Sequence, residues 1–321
     1  MKYFIFLLFP TFLLSQNNIL STEQSLFVMF YNVENLFDTI NNPIKNDDEF
    51  TPNSKKHWNS ERYNHKINKL EQVFASINDS LLPNIIGLSE VENKLVIEDL
   101  LKAPFFKHHN YTIIHQESPD QRGIDCAILF DDQFELLKYD FIEINNPASS
   151  RPTRDIVYVK LKFQNEFFHV FVNHWPSRWG GVETTNHKRV FTAKTLQNYI
   201  KTNIKMDENV LIMGDFNDYP FNESVKDVLV KNDFFNLMSS DIVADSGSYN
   251  YKGEWNFIDH VIVSNNLRNR VLSAGAFSKD WMLYTNNKGE KYPSRTYGRD
   301  SWYGGFSDHL PVYCRIRILS N

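Results

Sequence analysis

Apolar residues along this chain come in short runs, and many of those runs end in acids, amides or histidines. Leu26–Tyr31, Asn84–Ser89, Val210–Met213 and Phe257–Val263 show little polar alternation, the pattern of strands buried on both faces. Further strands are predicted at Tyr111–His115, Ile124–Phe130 and Pro311–Ile318. Ile156–Phe163 and Phe167–Val172 flank Gln164–Glu166 as a hairpin. Elsewhere the period changes: Ile67, Leu70, Val73, Phe74 and Ile77 recur at helical spacing. Val96–Leu101 and Val190–Ile200 predict two more helices, and the polar, irregular Asn41–Ser60 predicts a loop. Strands interleaved with helices, with hairpin pairs among them, predict an α/β sandwich of mixed sheets rather than one parallel sheet.

The 321 residues contain no Gly/Ser- or Pro-rich linker and no internal repeat, so one domain is expected, over residues 22–319. The 26 Phe and 15 Tyr supply a core without disulfide staples. Cys126 and Cys314 fall in predicted strands and are expected as buried free thiols, although export would permit a disulfide between them. Lys2, the apolar Tyr3–Leu14 and then Ser15 read as a secretory signal peptide over residues 1–15. The run is short for a membrane span. The expectation is therefore an exported monomer, periplasmic or extracellular, without stable membrane association. The formal charge of −5 gives no overall basic footprint of a nucleic-acid binder. It does not exclude one, since acids gathered around a metal are neutralised there.

The strand ends carry the candidate chemistry. They read MFYNVENL (29–36), IIGLSEVEN (85–93), FVNHWPSR (171–178), VLIMGDFND (210–218), FIDHVIVS (257–264) and FSDHLPV (306–312). Residues two apart on a strand share a face, which groups Asn32 with Glu34, Glu90 with Glu92, and Asp215 with Asn217. Hard cations such as Mg²⁺ take oxygen ligands and one or two protein carboxylates. Glu90, directly after an apolar run, is the stronger ligand candidate; Glu92 reads as a solvated or helix-capping acid. A carboxylate beside an amide, as at Asp215 and Asn217, suits orienting a water against a phosphate oxygen. Asp259 and Asp308 are placed to orient imidazoles. His174 is a candidate catalytic group whose partner is open between Asp125 and Asp155, and His260 is assigned to packing. Among the loop arginines, Arg151 or Arg154 and Arg178 are expected to bind phosphate. Trp175, Trp179, Trp255 and Tyr297 are able to stack on bases, though each reads individually as packing.

Taken in order, NVEN, SEVEN, RGIDCAIL, VNHWPSR, GDFND, IDHVIVS and SDHLPV resemble the endonuclease/exonuclease/phosphatase superfamily, and within it the extracellular nucleases of bacteria. The resemblance runs from about Phe27 to about Ile318. It implies a four-layer α/β/β/α sandwich of two packed mixed β-sheets with the active site at one edge. It implies a metal site of Glu90 with Asn32, Glu34 and Asp308, taking Mg²⁺ or alternatively Mn²⁺ or Ca²⁺. Asp215 would orient and deprotonate water, Asn217, His174 and His309 would contact phosphoryl oxygens, and Asp259 would orient His309. The activity implied is a secreted, metal-dependent phosphodiesterase acting on nucleic acid, expected to be an endonuclease. The alternative is a phosphoesterase of non-nucleic substrates, like the superfamily's sphingomyelinases and inositol-phosphate phosphatases. The Trp179–Gly181 region is the nearest thing to a lipid-directed loop.

Overall fold

The computed structural model describes residues 24–78, 81–205, 207–239 and 247–319. The segment read as a signal peptide lies outside them. Twelve strands, numbered here in chain order, form two six-stranded sheets. The first sheet holds β1 (Ser25–Leu36), β2 (Ile85–Val91), β3 (Tyr111–His115), β4 (Asp125–Asp131), β11 (Val271–Ala276) and β12 (Val312–Arg317), in the order β11-β12-β1-β2-β4-β3. The second holds β5 (Glu135–Ile142), β6 (Ile156–Phe163), β7 (Glu166–His174), β8 (Asn209–Asp215), β9 (Phe234–Asn236) and β10 (Asp259–Ser264), in the order β5-β6-β7-β8-β10-β9. The pairs β1–β2 and β7–β8 are parallel and the remaining pairs antiparallel, so both sheets are mixed.

The uninterrupted apolar runs have the predicted cause. Along β1, Val28 and Phe30 enter the core between the sheets with Val170, Val172, Leu211 and Met213. Met29 and Tyr31 face the other way, under helices α1 (Ser60–Ser76) and α2 (Lys94–Leu101). Helix α3 (Val182–Asn203) and a short π-helix, Ser224–Val230, cover the second sheet through Ala193, Leu196, Ile212 and Val225. Four layers result, and Cys126 and Cys314 lie in the central core as free thiols. Among the described residues no helix is long and apolar enough to cross a membrane.

The elements differ from the sequence reading mainly at their ends. Strand β1 runs through Asn32–Leu36 instead of stopping at Tyr31, and α3 starts eight residues before Val190. Asn59 and Asn93 cap α1 and α2, accepting from the N–H groups of Arg62 and Val96 at 3.1 Å each. Strand β5 escapes the periodicity because half of it is solvated. Three two-stranded hairpins also lie outside both sheets.

Gly87 marks where the sheets come closest. A Cβ there would stand 2.7 Å from the Val172 Cγ2 and 3.0 Å from the Met213 Cε across the core. Gly87→Ala is therefore expected to cost about 1–3 kcal/mol through overpacking. Urea unfolding checks this, and Val172→Ala in the same chain should recover part of the loss if the clash is the cause.

Candidate active site

Two β-bulges aim the acids of the first sheet. β1 and β2 stay in register to Asn32–Ser89, lose it, and regain it at Leu36–Val91. β2 and β4 slip between Ser89 and Val91. Glu34, Asn35 and Glu90 sit at φ 49°, 55° and 62°, a left-handed conformation that costs a side-chain-bearing residue about 1–2 kcal/mol. Bulges re-aim side chains in this way. Glu90 turns into the cleft, where its Oε1 accepts from Asn32 Nδ2 at 3.3 Å and its Oε2 from the Asn35 N–H at 3.0 Å.

The second sheet contributes a row. Strand register sets His174 opposite Asp215, and Asp215 opposite Asp259. Directly opposed residues share a face, so β7, β8 and β10 present the three side chains together. Gly214 permits this closeness, since any Cβ there would run into the Asn173 carbonyl. Asn32 Nδ2 also donates to Asp215 Oδ2 at 3.1 Å and so links the two sheets. His309 arrives from the turn before β12. Its Nδ1 bonds Asp259 Oδ2 at 2.8 Å, and its Nε2 lies 3.8 Å from Asp215 Oδ2. Ser307 pins that turn, donating to the Asn32 carbonyl at 2.7 Å and accepting from the His309 N–H at 3.1 Å.

Burial separates the protonation states of these groups. It pushes the Asp215 carboxyl up to about 7, against the pull of His309 and with a push from Asp259. Burial also disfavours an imidazolium at His309, but Asp259 and Asp215 outweigh it and hold that ring well above its ordinary value. His174 is held well below by burial, by Arg154 and Arg122, and by His309. The row thus sets a proton acceptor poised near neutrality between a fixed imidazolium and a neutral imidazole, whose Nε2 is 3.5 Å from Asp215 Oδ2.

Side-chain atoms of Asp215, Asp259 and His309 gather within 4.8 Å of one another. Within the trio, His309 Nδ1 and Asp259 Oδ2 already bond each other at 2.8 Å. Glu90 and Asp308 fit a hard divalent cation. Both offer oxygens only, and their side chains remain 16 % and 23 % exposed at the cleft.

Several predicted site residues take other roles. Asn32 bridges the site, its Oδ1 accepting from the Glu34 N–H at 3.0 Å and its amide nitrogen serving the two acids. Glu34 is buried, its oxygens taken by the N–H groups of Thr296 (2.6 Å) and Tyr297 (3.5 Å) and by Arg295 Nε (3.4 Å). It anchors a loop. The i, i+2 argument fails here because the bulge rotates Glu34 away from Asn32. Glu92 neither caps a helix nor faces solvent; it is buried and accepts from the Asp38 N–H at 2.7 Å.

The arginines divide. Arg154 lies beneath the floor, donating to Asp120 Oδ2 at 3.1 Å and to the Trp175 carbonyl at 2.7 Å. Arg178 donates to the Asn217 carbonyl (2.8 Å), Asp218 (3.0 Å) and Asn222 (2.6 Å), so both guanidiniums brace the site from within instead of meeting substrate. Arg151 is exposed on a separate trough. Asn217, at φ 50°, donates its N–H to Asp215 Oδ1 at 2.9 Å and its amide to the Trp175 carbonyl at 3.0 Å. His260 packs, bonded to Asn236 and to the Asp218 carbonyl. Asp125 faces the Ser118 N–H and His115, and His174 Nδ1 has no hydrogen-bond partner among the described residues. Trp175 and Tyr297 are buried and Trp255 packs on a core, which leaves Trp179 exposed.

Sequence reasoning missed Arg122 and passed over Lys188 in favour of the arginines; both line the trough with Arg151. It also missed Tyr249, whose ring centroid lies 5.1 Å from that of His309. Arg122 opens the RGIDCAIL motif, so a signal for it was present.

The family described as "Endonuclease/Exonuclease/phosphatase family" matches residues 27–318. None of the curated proteins matches. Solved structures do. A Bacteroides thetaiotaomicron protein of the endonuclease/exonuclease/phosphatase family is 15 % identical, with a TM-score of 0.60 over 92 % of this chain and 99 % of that one. A humanized D. rerio TDP2 is 13 % identical, with a TM-score of 0.60 and coverages of 92 % and 99 %. The mannosyl-6-phosphatase Bt3783 of B. thetaiotaomicron is 16 % identical, with a TM-score of 0.56 and coverages of 90 % and 98 %.

The shifted groups set a pH dependence of stability. Burial raises Glu92 to about 8 and, with Asp308, Glu34 to about 7. Asp215 and His309 are raised as well. Stability from raised groups is complete below their unfolded values and is lost as pH climbs through the folded ones. The buried histidines 169, 174 and 260 are lowered, so their contribution changes only below about 6.5. In chelator, the melting temperature should therefore fall between pH 6.5 and 8, and divalent cation should offset the fall. A flat or rising melting temperature over that window would contradict these assignments.

Proposed function

Because the chain belongs to the endonuclease/exonuclease/phosphatase family, whose members are divalent-metal-dependent hydrolases of phosphate esters, we propose that it is a Mg²⁺-dependent nuclease cutting within strands. The observation that carries this reading is a cationic trough beside the acid centre. It has a volume of about 510 Å³, begins at Pro176, two residues beyond His174, and presents Arg122, Arg151 and Lys188, while Asp120 pairs with Arg122 and with the buried Arg154 beneath. Trp179 stands at its side, 86 % exposed. Fixed cations with an exposed aromatic suit a chain of phosphates and bases better than one isolated phosphate. We assign the chain to export on the strength of its N-terminal sequence alone.

In this reading Asp215, poised near 7, accepts the proton of the attacking water. Asn32 and the Asn217 N–H hold its two oxygens in place. His309, charged and fixed by Asp259, faces the developing phosphoryl charge, and neutral His174 donates beside it. Asn217 and Arg178 keep the floor rigid. Glu90 and Asp308 would hold the cation, which supplies Lewis-acid stabilisation of the phosphate oxygens.

The purified chain should nick supercoiled plasmid in Mg²⁺ and not in chelator. Glu90→Ala, Asp215→Ala, His174→Ala and His309→Ala should each lose about 10²–10³ in rate with folding intact. Near wild-type rates in any two would sink the residue assignment. Hydrolysis of small phosphoesters without nicking would move the substrate to the non-nucleic class. A separate measurement tests the trough. Arg151→Ala and Lys188→Ala should each reduce the slope of log affinity against log salt by about 0.7–0.9, one released phosphate contact apiece; unchanged slopes would remove the trough from the substrate path.

A further inference from the structure

A second cavity, of about 750 Å³, adjoins the reacting centre at the opposite end of the His174–Asp215–Asp259 row from the trough. Three hairpins build it, none of them part of either sheet: Tyr249–Tyr251 with Glu254–Asn256, Leu283–Thr285 with Lys291–Pro293, and Tyr297–Gly298 with Ser301–Trp302. They bring Tyr249, Tyr284, Tyr292, Trp302 and Tyr303 to one lining. Tyr249 forms the partition with the catalytic centre, its ring against His309, and Asp308 lies on both sides of it.

The charge of this cavity identifies its occupant. Arg295 and Asp308 are the only charged residues in the lining, and they bond each other at 2.8 Å. Arg295 is further tied to Glu34. Among the described residues the cavity therefore holds no free cation for a second phosphate. It offers aromatic faces instead. Tyr284 and Tyr303 are 51 % and 63 % exposed. The Tyr303 ring lies close over Gly298, where any Cβ would strike it. The loop beneath is anchored by Glu34 and by the buried Lys66, whose Nζ donates to Thr296 Oγ1 and the Phe306 carbonyl at 2.6 Å each. Exposed aromatic faces gathered around one cavity suit base stacking, and such stacking tolerates any base.

We propose that this cavity receives the unstacked base of a nucleotide beside the scissile phosphate, and that the enzyme consequently prefers single-stranded nucleic acid. A base paired in a duplex is not free to enter, because leaving the stack costs energy the single strand does not spend. The proposal rests on the nuclease reading above. The trough supports a polymeric substrate at one end of the row, and the neutral aromatic cavity takes a planar uncharged group of that polymer at the other.

The test compares an oligothymidylate with a strand of the same length in which every nucleotide is abasic. Wild type should cut the thymidylate with a kcat/KM roughly 5- to 100-fold higher, the range expected of one stacked base. Tyr303→Ala, and independently Tyr284→Ala on another hairpin, should erase most of that ratio while leaving the abasic rate unchanged. Tyr303→Phe should keep it. Anisotropy of the same two strands in chelator reads the base dependence without catalysis. Equal cutting and binding of both strands by wild type, or equal loss on both strands in Tyr303→Ala, would overturn the proposal while leaving the nuclease reading intact. If neither strand is cut or bound but glucose 6-phosphate is hydrolysed, the nuclease reading fails and this inference fails with it.

Discussion

Crowding of like charge in a buried cleft is the constraint around which this site is built. Glu90, Asp215, Asp259 and Asp308 converge on one cleft, and at the buried Asp215 desolvation resists the negative charge. The surroundings offset that cost by several means. Asn32 places both amide hydrogens between Glu90 and Asp215. His309 keeps its proton because Asp259 faces one side of the ring and Asp215 the other. Arg295 covers Asp308 at the rim. Glu90 alone combines solvent access with a strained backbone that aims it outward. In the proposed reading the same crowding supports opposite uses of two carboxylates: Asp215, deep and near neutrality, would exchange a proton, whereas Glu90, at the mouth, would offer lone pairs to a cation.

How much of this was legible depended on whether the backbone stayed regular. The strands buried on both faces announced themselves, because Val28–Tyr31 and Val210–Met213 have apolar neighbours on either side. The row across β7, β8 and β10 was half legible. The motifs supplied His174, Asp215 and Asp259 at strand ends, but only the register shows them side by side. The pairing of Asn32 with Glu34 was misread because period-2 reasoning assumes an unbroken strand. A bulge with two left-handed residues cannot be seen in NVEN, since neither Glu34 nor Asn35 is a glycine. The arginines were misjudged for another reason. Composition says that a guanidinium suits phosphate, but not that the Trp175 and Asn217 carbonyls, left unpaired in a tight turn, claim Arg154 and Arg178 first.

The sandwich and the three outer hairpins do separate work. The sheets fix the row and the bulges, and the fold is shared with a humanized TDP2 and a mannosyl-6-phosphatase, 13 % and 16 % identical. Fold therefore constrains the chemistry of the phosphorus centre and leaves the remainder of the substrate open. The hairpins are short and two-stranded, marginal as isolated units. They are held by what lies beneath them: Glu34 on the Thr296 N–H, Lys66 on Thr296 and Phe306, and Trp58 against Tyr297 and Trp302. Glu34 thus links the two regions, sitting on a strand of the acid centre while bracing the wall of the hairpin-lined cavity.

A formal charge of −5 looks unfavourable for a protein that handles polyanions. Position resolves this. The acids at the centre of the row are buried or paired, so their field reaches a substrate reduced by His309, Arg295 and any bound cation. At the trough, Arg151 and Lys188 stand at the surface with no ion pair among the described residues. Charges within about a Debye length dominate what an approaching phosphate feels, so local arrangement outweighs the sum over the chain. The cavity at the far end completes the argument by being nearly neutral. A strand drawn along the cations would reach the acids with its phosphate and find beyond them a place that accepts its uncharged part.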